Sequence, residues 1–435
     1  MHFARTVISA FGALALSTTA YAQSSPSLDG DWINVLTRFD NKQYQRMKLT
    51  RSGDTLRAEG TVLKLSGKIS GKKVELEGKD DDGDAIKING VLEGSEMRGT
   101  LVSKDATFDW LAYPTKPRPA NPTTHTFEPK EFHRQFSGAI PPALHIHPGD
   151  TVKTWTVDAG GSDSHMKRLS AGGNPETGPF YIEDALPGDV ISVKLNRVRL
   201  NRDSAFSGTR VVPSALNPGY YGSLQKENDK VKGISGEWVL DREHNVARLK
   251  KPTDKLKDYT IALRPMMGCI GVAPPANMAL RSGYLGPFGG NMDYNEVREG
   301  ATIYLPVFTP GALLFIGDGH AAQGDGELTG DALETSMDVE FTVDLIRNQG
   351  QSGPRMENAD YIMASGIAGS LNDALQMATT EISRWLARDY DLNHAEVGLV
   401  LGSAMKYDIA EVVDPYVHVV AKVAKKSLAP LQKKK

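Results

Sequence analysis

The sequence holds a single cysteine, Cys269, in 435 residues. No intramolecular disulfide can form, so the fold must rest on burial. Charge of one sign is also missing: 50 Lys+Arg stand against 53 Asp+Glu, a net of −3. Such a balance gives no global field to attract nucleic acid or a membrane surface. The apolar run near the N-terminus is too short to span a bilayer, and no later run reaches that length. Hydrophobic content of 40% and aromatic content of 7% fit an ordinary globular protein, and the length allows two or three domains. The basic end, Lys425-Lys426 and Lys433-Lys434-Lys435, reads as a solvated tail.

Residues 1–22 read as a secretory signal. Arg5 supplies the positive region, Val7 to Leu16 the apolar core, and Ala20-Tyr21-Ala22 a small-x-small cleavage site before Gln23. The expected mature chain is periplasmic or secreted, with no membrane insertion after cleavage.

From 28 to 113 short segments alternate apolar with polar residues. They include Asp31–Leu36, Arg46–Thr50, Thr55–Ala58, Lys73–Glu77, Ala85–Asn89, Arg98–Val102 and Phe108–Trp110, with turn residues such as Asp81-Asp82-Gly83 between them. That pattern predicts a small antiparallel β-sandwich or barrel. No cluster of histidines or paired carboxylates accompanies it, so an accessory role is expected. Residues 114–122 carry Pro114, Pro117, Pro119 and Pro122, a stiff, extended linker. A second domain is expected over 123–430.

Within it, one stretch concentrates carboxylates, imidazole and amides among glycines: Gly317-Asp318-Gly319-His320-Ala-Ala-Gln323-Gly-Asp325-Gly-Glu327. It follows two apolar runs, Ala301–Phe308 and Ala312–Ile316, which the Pro310-Gly311 turn between them marks as a buried hairpin. Asp318 and His320 lie two apart at a strand end and project from one face. A buried set of Asp, His and Glu is costly unless the charges pair or coordinate a cation; a solvated polar turn is the bland alternative. A similar design recurs at Asp158-Ala-Gly160-Gly161-Ser-Asp163-Ser-His165, and the two strand ends could converge on one site. His145 and His147 read as strand-surface residues. Pro-Gly-Asp precedes an alternating strand at both 148–150 and 187–189, a repeated β-turn. Arg210, Tyr220, Tyr221 and Trp238 are possible pocket walls. Cys269 sits in an apolar, glycine-flanked run, as a buried small hydrophobe usually does.

Toward the C-terminus Leu371, Leu375, Ala378, Ile382, Trp385 and Leu386 recur at three and four, predicting an amphipathic helix. A second helix is expected to start at Asn393, with Glu396 three positions on as its capping partner. A final strand covers 417–423, and His394 and His418 read as structural or exposed.

Five blocks taken together resemble the acetamidase/formamidase family: Thr156–Gly161, Asn174–Glu183, Gly268–Pro274, Gly289-Gly290-Asn291-Met292-Asp293 and Gly317–Glu327. They cover roughly 130–425; the N-terminal β domain and the signal lie outside the family's usual core. The resemblance implies an α+β, predominantly β chain: the small β domain, then a sheet-rich catalytic domain with C-terminal helices. It also implies hydrolysis of a short linear amide to ammonia and a carboxylate, and assembly as dimers or larger.

Amide hydrolysis needs an activated nucleophile, a stabilised oxyanion and an acid for the leaving nitrogen. A divalent metal, zinc or calcium, can supply the first two. Asp158, Asp318 and His320 are the first-choice ligands, with Asp293 or His165 completing the shell. Glu327 is the candidate general base and acid, set in a loop with Asp325. Gln323 or Asn291 is placed to polarise the carbonyl, and backbone N–H groups at 289–290 could add to this. Two alternatives stand beside this reading: Cys269 as a nucleophile, and a non-catalytic periplasmic binding protein on the same fold.

Overall fold

Alternation of apolar and polar residues closes the N-terminal part on itself. In the computed structural model, which describes residues 28–60, 63–80, 82–104, 106–228 and 233–434, the chain divides into two compact units between Thr115 and Lys116. The expected secretory segment lies outside the described residues.

The first unit is a closed barrel of eight strands: Gly30–Arg38, Asn41–Ser52, Thr55–Gly60, Lys64–Ser70, Lys73–Lys79, Ala85–Glu93, Glu96–Ser103 and Ala106–Pro114. Each pairs antiparallel with the next, and the last returns to the first with Trp32 opposite Pro114 and Thr37 opposite Asp109. Side chains at alternate positions, among them Leu49, Leu56, Ile69, Val74, Leu76 and Ile88, fill the interior. The strand Lys64–Ser70 is absent from the expectation, because Leu-Ser-Gly-Lys-Ile looks like a turn. Its Gly67 permits close strand packing: a Cβ there would stand 2.8 Å from Leu76 Cα.

In the second unit the proline-rich segment is tied down rather than free. Lys116 pairs with Glu183 at 2.6 Å, and Thr123 N–H donates to Asp150 at 2.7 Å. The unit holds two large sheets. In one, Val190–Leu200 and Thr151–Thr156 flank opposite edges of Met337–Ile346, so the two Pro-Gly-Asp turns open strands at equivalent places. Asp150 and Asp189 each accept a backbone N–H within their turn. The other sheet sets Glu334–Thr335, Leu314–His320, Met266–Gly271 and Gly289–Asn291 side by side.

The expected hairpin does not form. Thr302–Pro306 pairs with Val190–Leu200 and Arg355–Glu357 in the first sheet, whereas Leu314–His320 lies in the second. Gly311, Ala312 and Leu313 all have positive φ (77°, 56° and 57°) and turn the chain from one sheet into the other. Both runs are mostly apolar because they line the core, where Ile303, Leu305, Leu314 and Ile316 are fully buried.

Helix Leu371–Tyr390 is capped by Ser370, whose side chain accepts from Asp373 N–H. It buries Ala378, Ile382, Trp385 and Leu386 against Ile362, Ala364, Ala421 and Val423. Helix His394–Ala404 begins with the Asn393/Glu396 capping box. An additional strand, Met405–Glu411, precedes the final one, Val417–Ala424.

Candidate metal centre and its cleft

The strand register itself assembles the centre. His320 stands directly opposite Glu334 in an antiparallel pair, which puts both side chains on one face. On the other side, the ladder pairs Met266 with His320 and Cys269 with Gly317. Gly268 thus lies beneath the carboxylates, where a Cβ would stand 2.8 Å from Asp318 Oδ2 and 2.9 Å from His320 Cε1. Asp293 enters just past the Gly289–Asn291 strand, and Glu327 from the loop after the central strand. Asp293, Asp318 and Glu327 all have positive φ (42°, 56° and 47°), a conformation few non-glycine residues adopt unless their surroundings enforce it.

His320 Nε2 lies 3.2 Å from Glu334 Oε1, 3.4 Å from Asp318 Oδ2 and 3.8 Å from Asp293 Oδ1. Two triads share it, Asp318/His320/Glu334 and Asp293/His320/Glu327, each with donor atoms within 4.8 Å of one another. The ring's other nitrogen, Nδ1, is 2.9 Å from Gln323 Oε1. Gln323 Nε2 donates to the backbone carbonyls of Asp293 (2.5 Å) and Ala410 (3.3 Å). Those carbonyls can only accept, so Oε1 must face the ring and Nδ1 carries the proton. Nε2 is then left with no hydrogen-bond partner among the described residues, as are Asp293 Oδ1, Asp318 Oδ1 and Glu334 Oε2.

The electrostatics agree. Burial raises Glu327 well above the usual carboxyl range, as it does Asp293, although His320 opposes this in both. Burial likewise raises Glu334 to about 8. Burial pulls His320 down, yet Glu334 and Asp318 together push it well above 6.5. Four buried carboxylates around one imidazole cannot all ionise without a counter-charge. A cation there answers both the orphaned atoms and the crowding, and the mixed nitrogen and oxygen donor set is one that divalent metals accept. These residues can hold a metal ion.

Other expected residues sit elsewhere. Asp158 is buried, but it is ion-paired to Arg202 at 2.7 Å and accepts from Ser162 N–H at 2.9 Å; its charge is already compensated outside the cluster. His165 is exposed and touches Ser164, and Asp325 is exposed and accepts from Asn295 at 2.8 Å. Asn291 and Gln323 are not free to polarise a carbonyl. Asn291 Nδ2 donates to Asp293 at 2.5 Å and to Asp414 at 2.8 Å, and Gln323 Nε2 is engaged as described; both amides position their neighbours. Gly289 and Gly290 are paired on both sides, with Met266–Gly271 and Leu285–Gly286, which occupies that backbone in the ladder. Cys269 is fully buried and donates to Ser282 O at 3.4 Å. Burial, then Glu176, raises its thiol well above the ordinary value, the reverse of what a thiolate nucleophile requires.

Sequence reasoning missed Glu334, Glu176, Glu411 and Asp414. Burial raises Glu411 to about 8 and Asp414 to about 6, and both oxygens of the fully buried Glu176 lack a hydrogen-bond partner. Glu334 left a faint signal, an acid after the apolar Ala332-Leu333, and Glu176 lies within the block Asn174–Glu183. Asn174 was quoted only within a motif; its Nδ2 donates to Asn291 Oδ1 at 2.8 Å and to Asp318 Oδ2 at 3.0 Å.

Asp318, Glu327 and Glu334 of the cluster line a cleft of about 840 Å³, together with Phe132, Arg134, Gly173, Arg281 and Tyr284. The acetamidase/formamidase family profile matches residues 121–282 and 287–390, and the chain belongs to that family of amide hydrolases. A Schizosaccharomyces pombe relative assigned as a formamidase is 25% identical over 288 residues, covering 54% of this chain and 69% of its own. The solved acetamidase of Yersinia enterocolitica is 30% identical, with a TM-score of 0.58, and covers 71% of this chain and 93% of its own. An acetamidase/formamidase from the thermophile Thermoanaerobacter tengcongensis is 26% identical, with a TM-score of 0.59, and covers 71% and 98%.

Proposed function

We propose that this chain hydrolyses the carbon–nitrogen bond of a linear amide, releasing ammonia and a carboxylate, at a divalent metal held by Asp318, His320 and Glu334. The observation that carries this reading is His320: Gln323 holds its Nδ1, so that Nε2, without a hydrogen-bond partner among the described residues, faces Glu334, Asp318 and Asp293. When bound, the metal supplies a Lewis acid that lowers the pKa of water and polarises a carbonyl.

The chain's own groups supply the remainder. Glu327, whose carboxyl burial raises well above the usual carboxylate range, is the proton carrier: it takes a proton from the attacking water and returns it to the departing nitrogen. As the carbon–oxygen bond forms, the carbon–nitrogen bond breaks, and the nitrogen leaves as ammonia. Asn174 holds Asp318 and Asn291 in place, and Asn291 in turn holds Asp293 and Asp414. The export reading of residues 1–22 and assembly as dimers or larger belong to the same proposal. N-terminal sequencing of the mature protein, expected to start at Gln23, and sedimentation test them.

The decisive experiment is ammonia release by residues 23–435 from formamide, acetamide and longer amides, before and after chelation. Release that chelation removes and a divalent metal restores supports the reading. Release that survives exhaustive chelation, with metal absent by elemental analysis, overturns the metal role. No release from any amide overturns hydrolysis.

A further inference from the structure

Most side chains inside the eight-stranded barrel are apolar, yet polar ones gather around one cavity. Asn34 stands opposite Gln45, and Leu36 opposite Gln43, in the antiparallel pair of the first two strands, so each pair shares a face. Leu36 belongs to the barrel core, and alternation turns Asn34 and Arg38 inward with it. The cavity among them measures about 260 Å³ and is lined by Asn34, Arg38, Gln43, Gln45, Asp80 and Asp82. Eight strands enclose just enough space for packed side chains or one small ligand. At roughly 30 Å³ each, about eight or nine water molecules would fill this one.

The polar groups there are only partly used. Trp110 Nε1 donates to Asn34 Oδ1 at 2.6 Å. An indole can only donate, so the amide oxygen faces the ring and Nδ2 is left with no partner among the described residues. Asn34 is only 2% exposed, and a buried unpaired donor is costly. Arg38 lies over the Phe108 ring, 4.7 Å from its centroid. It forms no ion pair among the described residues, and its buried Nε lacks a hydrogen-bond partner there. The acids converge instead: Asp80, Asp82 and Asp84 bring one oxygen each within 4.8 Å of one another. Lys104 neutralises Asp84 at 2.5 Å. Asp80 is held by Asp84 N–H at 2.9 Å and Ser103 Oγ at 3.2 Å, and neither it nor Asp82 has an ion pair among the described residues.

We propose that the barrel is a binding cup for a small polar α-amino acid: carboxylate on Arg38, ammonium on Asp80 and Asp82, side-chain oxygen on Asn34 Nδ2. A guanidinium stacked on a ring keeps its planar N–H fork free for a carboxylate. Charges of both signs in one cavity select a zwitterion. A plain anion or cation leaves one of them unanswered and is disfavoured. An apolar side chain is disfavoured in the same way, because it leaves the Asn34 amide unpaired.

The test is calorimetric titration of residues 23–435 with L-serine, L-threonine and L-homoserine. Ethanolamine, which lacks the carboxylate, and glycerate, which lacks the ammonium, are titrated beside them. At least one of the three amino acids should bind with a Kd of about 1 mM or tighter. Ethanolamine and glycerate should bind at least about tenfold more weakly, and Arg38→Gln should weaken amino-acid binding by a similar factor, as charge-assisted hydrogen bonds give. No binding of any of the three, equal binding of the truncated solutes, or binding that Arg38→Gln leaves unchanged overturns the proposal. Should Arg38→Gln fail to fold, as read by circular dichroism, the comparison of solutes on the wild type decides alone. The cavity shares no residue with the metal centre, so a protein that releases no ammonia from any amide still answers this test.

Discussion

His320 and Gln323 are locked in a single relative orientation. Nδ1 of the ring donates to Oε1 of the amide at 2.9 Å, and the amide's nitrogen is held by two backbone carbonyls. The amide therefore decides which imidazole nitrogen faces the carboxylates. Gln323→Leu keeps the approximate volume but cannot accept that proton. We expect metal affinity, read by competition with a chromophoric chelator, to fall about 10- to 100-fold. Unchanged affinity would show that the ring needs no outside support.

Gly268→Ala places a methyl group under the cluster, 2.8 Å from Asp318 Oδ2 and 2.9 Å from His320 Cε1 before any movement. Both are packed against a strand, so neither can yield easily. A loss of about 1–3 kcal/mol in unfolding free energy is expected, with metal content sharply reduced by elemental analysis. A variant that retains full metal would place the cation farther from Gly268 than the Asp318/His320/Glu334 triad does.

Glu327→Gln keeps shape while removing the proton carrier. The expected outcome is a drop in kcat of roughly 10²–10⁴, with metal content intact. If metal is lost along with turnover, Glu327 is a ligand, and the Asp293/His320/Glu327 triad is the one that binds.

Cys269→Ala should retain turnover and metal, because burial keeps the thiol protonated. In the native wild type the thiol should also stay unlabelled by a thiol reagent until denaturant is added. Abolished turnover with normal metal content would revive the thiol mechanism.

His418 sets an acid limit. It is fully buried, with Nδ1 2.7 Å from Met292 O and Nε2 2.8 Å from Ser365 Oγ. Burial lowers it from 6.5 to about 4. Between these values the unfolded chain binds the proton and the folded one does not, so this contribution is present above 6.5 and lost as pH falls through 4. The shift corresponds to on the order of 3 kcal/mol. In denaturant melts, the stability advantage of wild type over His418→Gln should narrow steadily from pH 7 to pH 4. A constant gap would mean that the ring is already charged in the fold.

Local chemistry was legible where period and spacing sufficed. Alternation gave away the barrel, and the three- and four-residue recurrence from Leu371 to Leu386 gave the helix. The interval of two placed Asp318 beside His320. What stayed hidden depends on pairing across sequence distance. Glu334 joins His320 through a strand register set fourteen residues away, and Asp158 is neutralised by Arg202 from another strand end. The runs around Pro310-Gly311 looked like a hairpin because two apolar runs close in sequence do not reveal which sheet each will enter.

The eight-stranded barrel closes with its last strand on its first, and this bears on how it can recognise anything. A closed ring has no free edge of unpaired amide and carbonyl groups. Recognition by adding a strand from a passing peptide is therefore ruled out, as is edge-to-edge stacking into fibres. Any partner of this unit must be met by side chains, at the ends of the ring or on its outer wall.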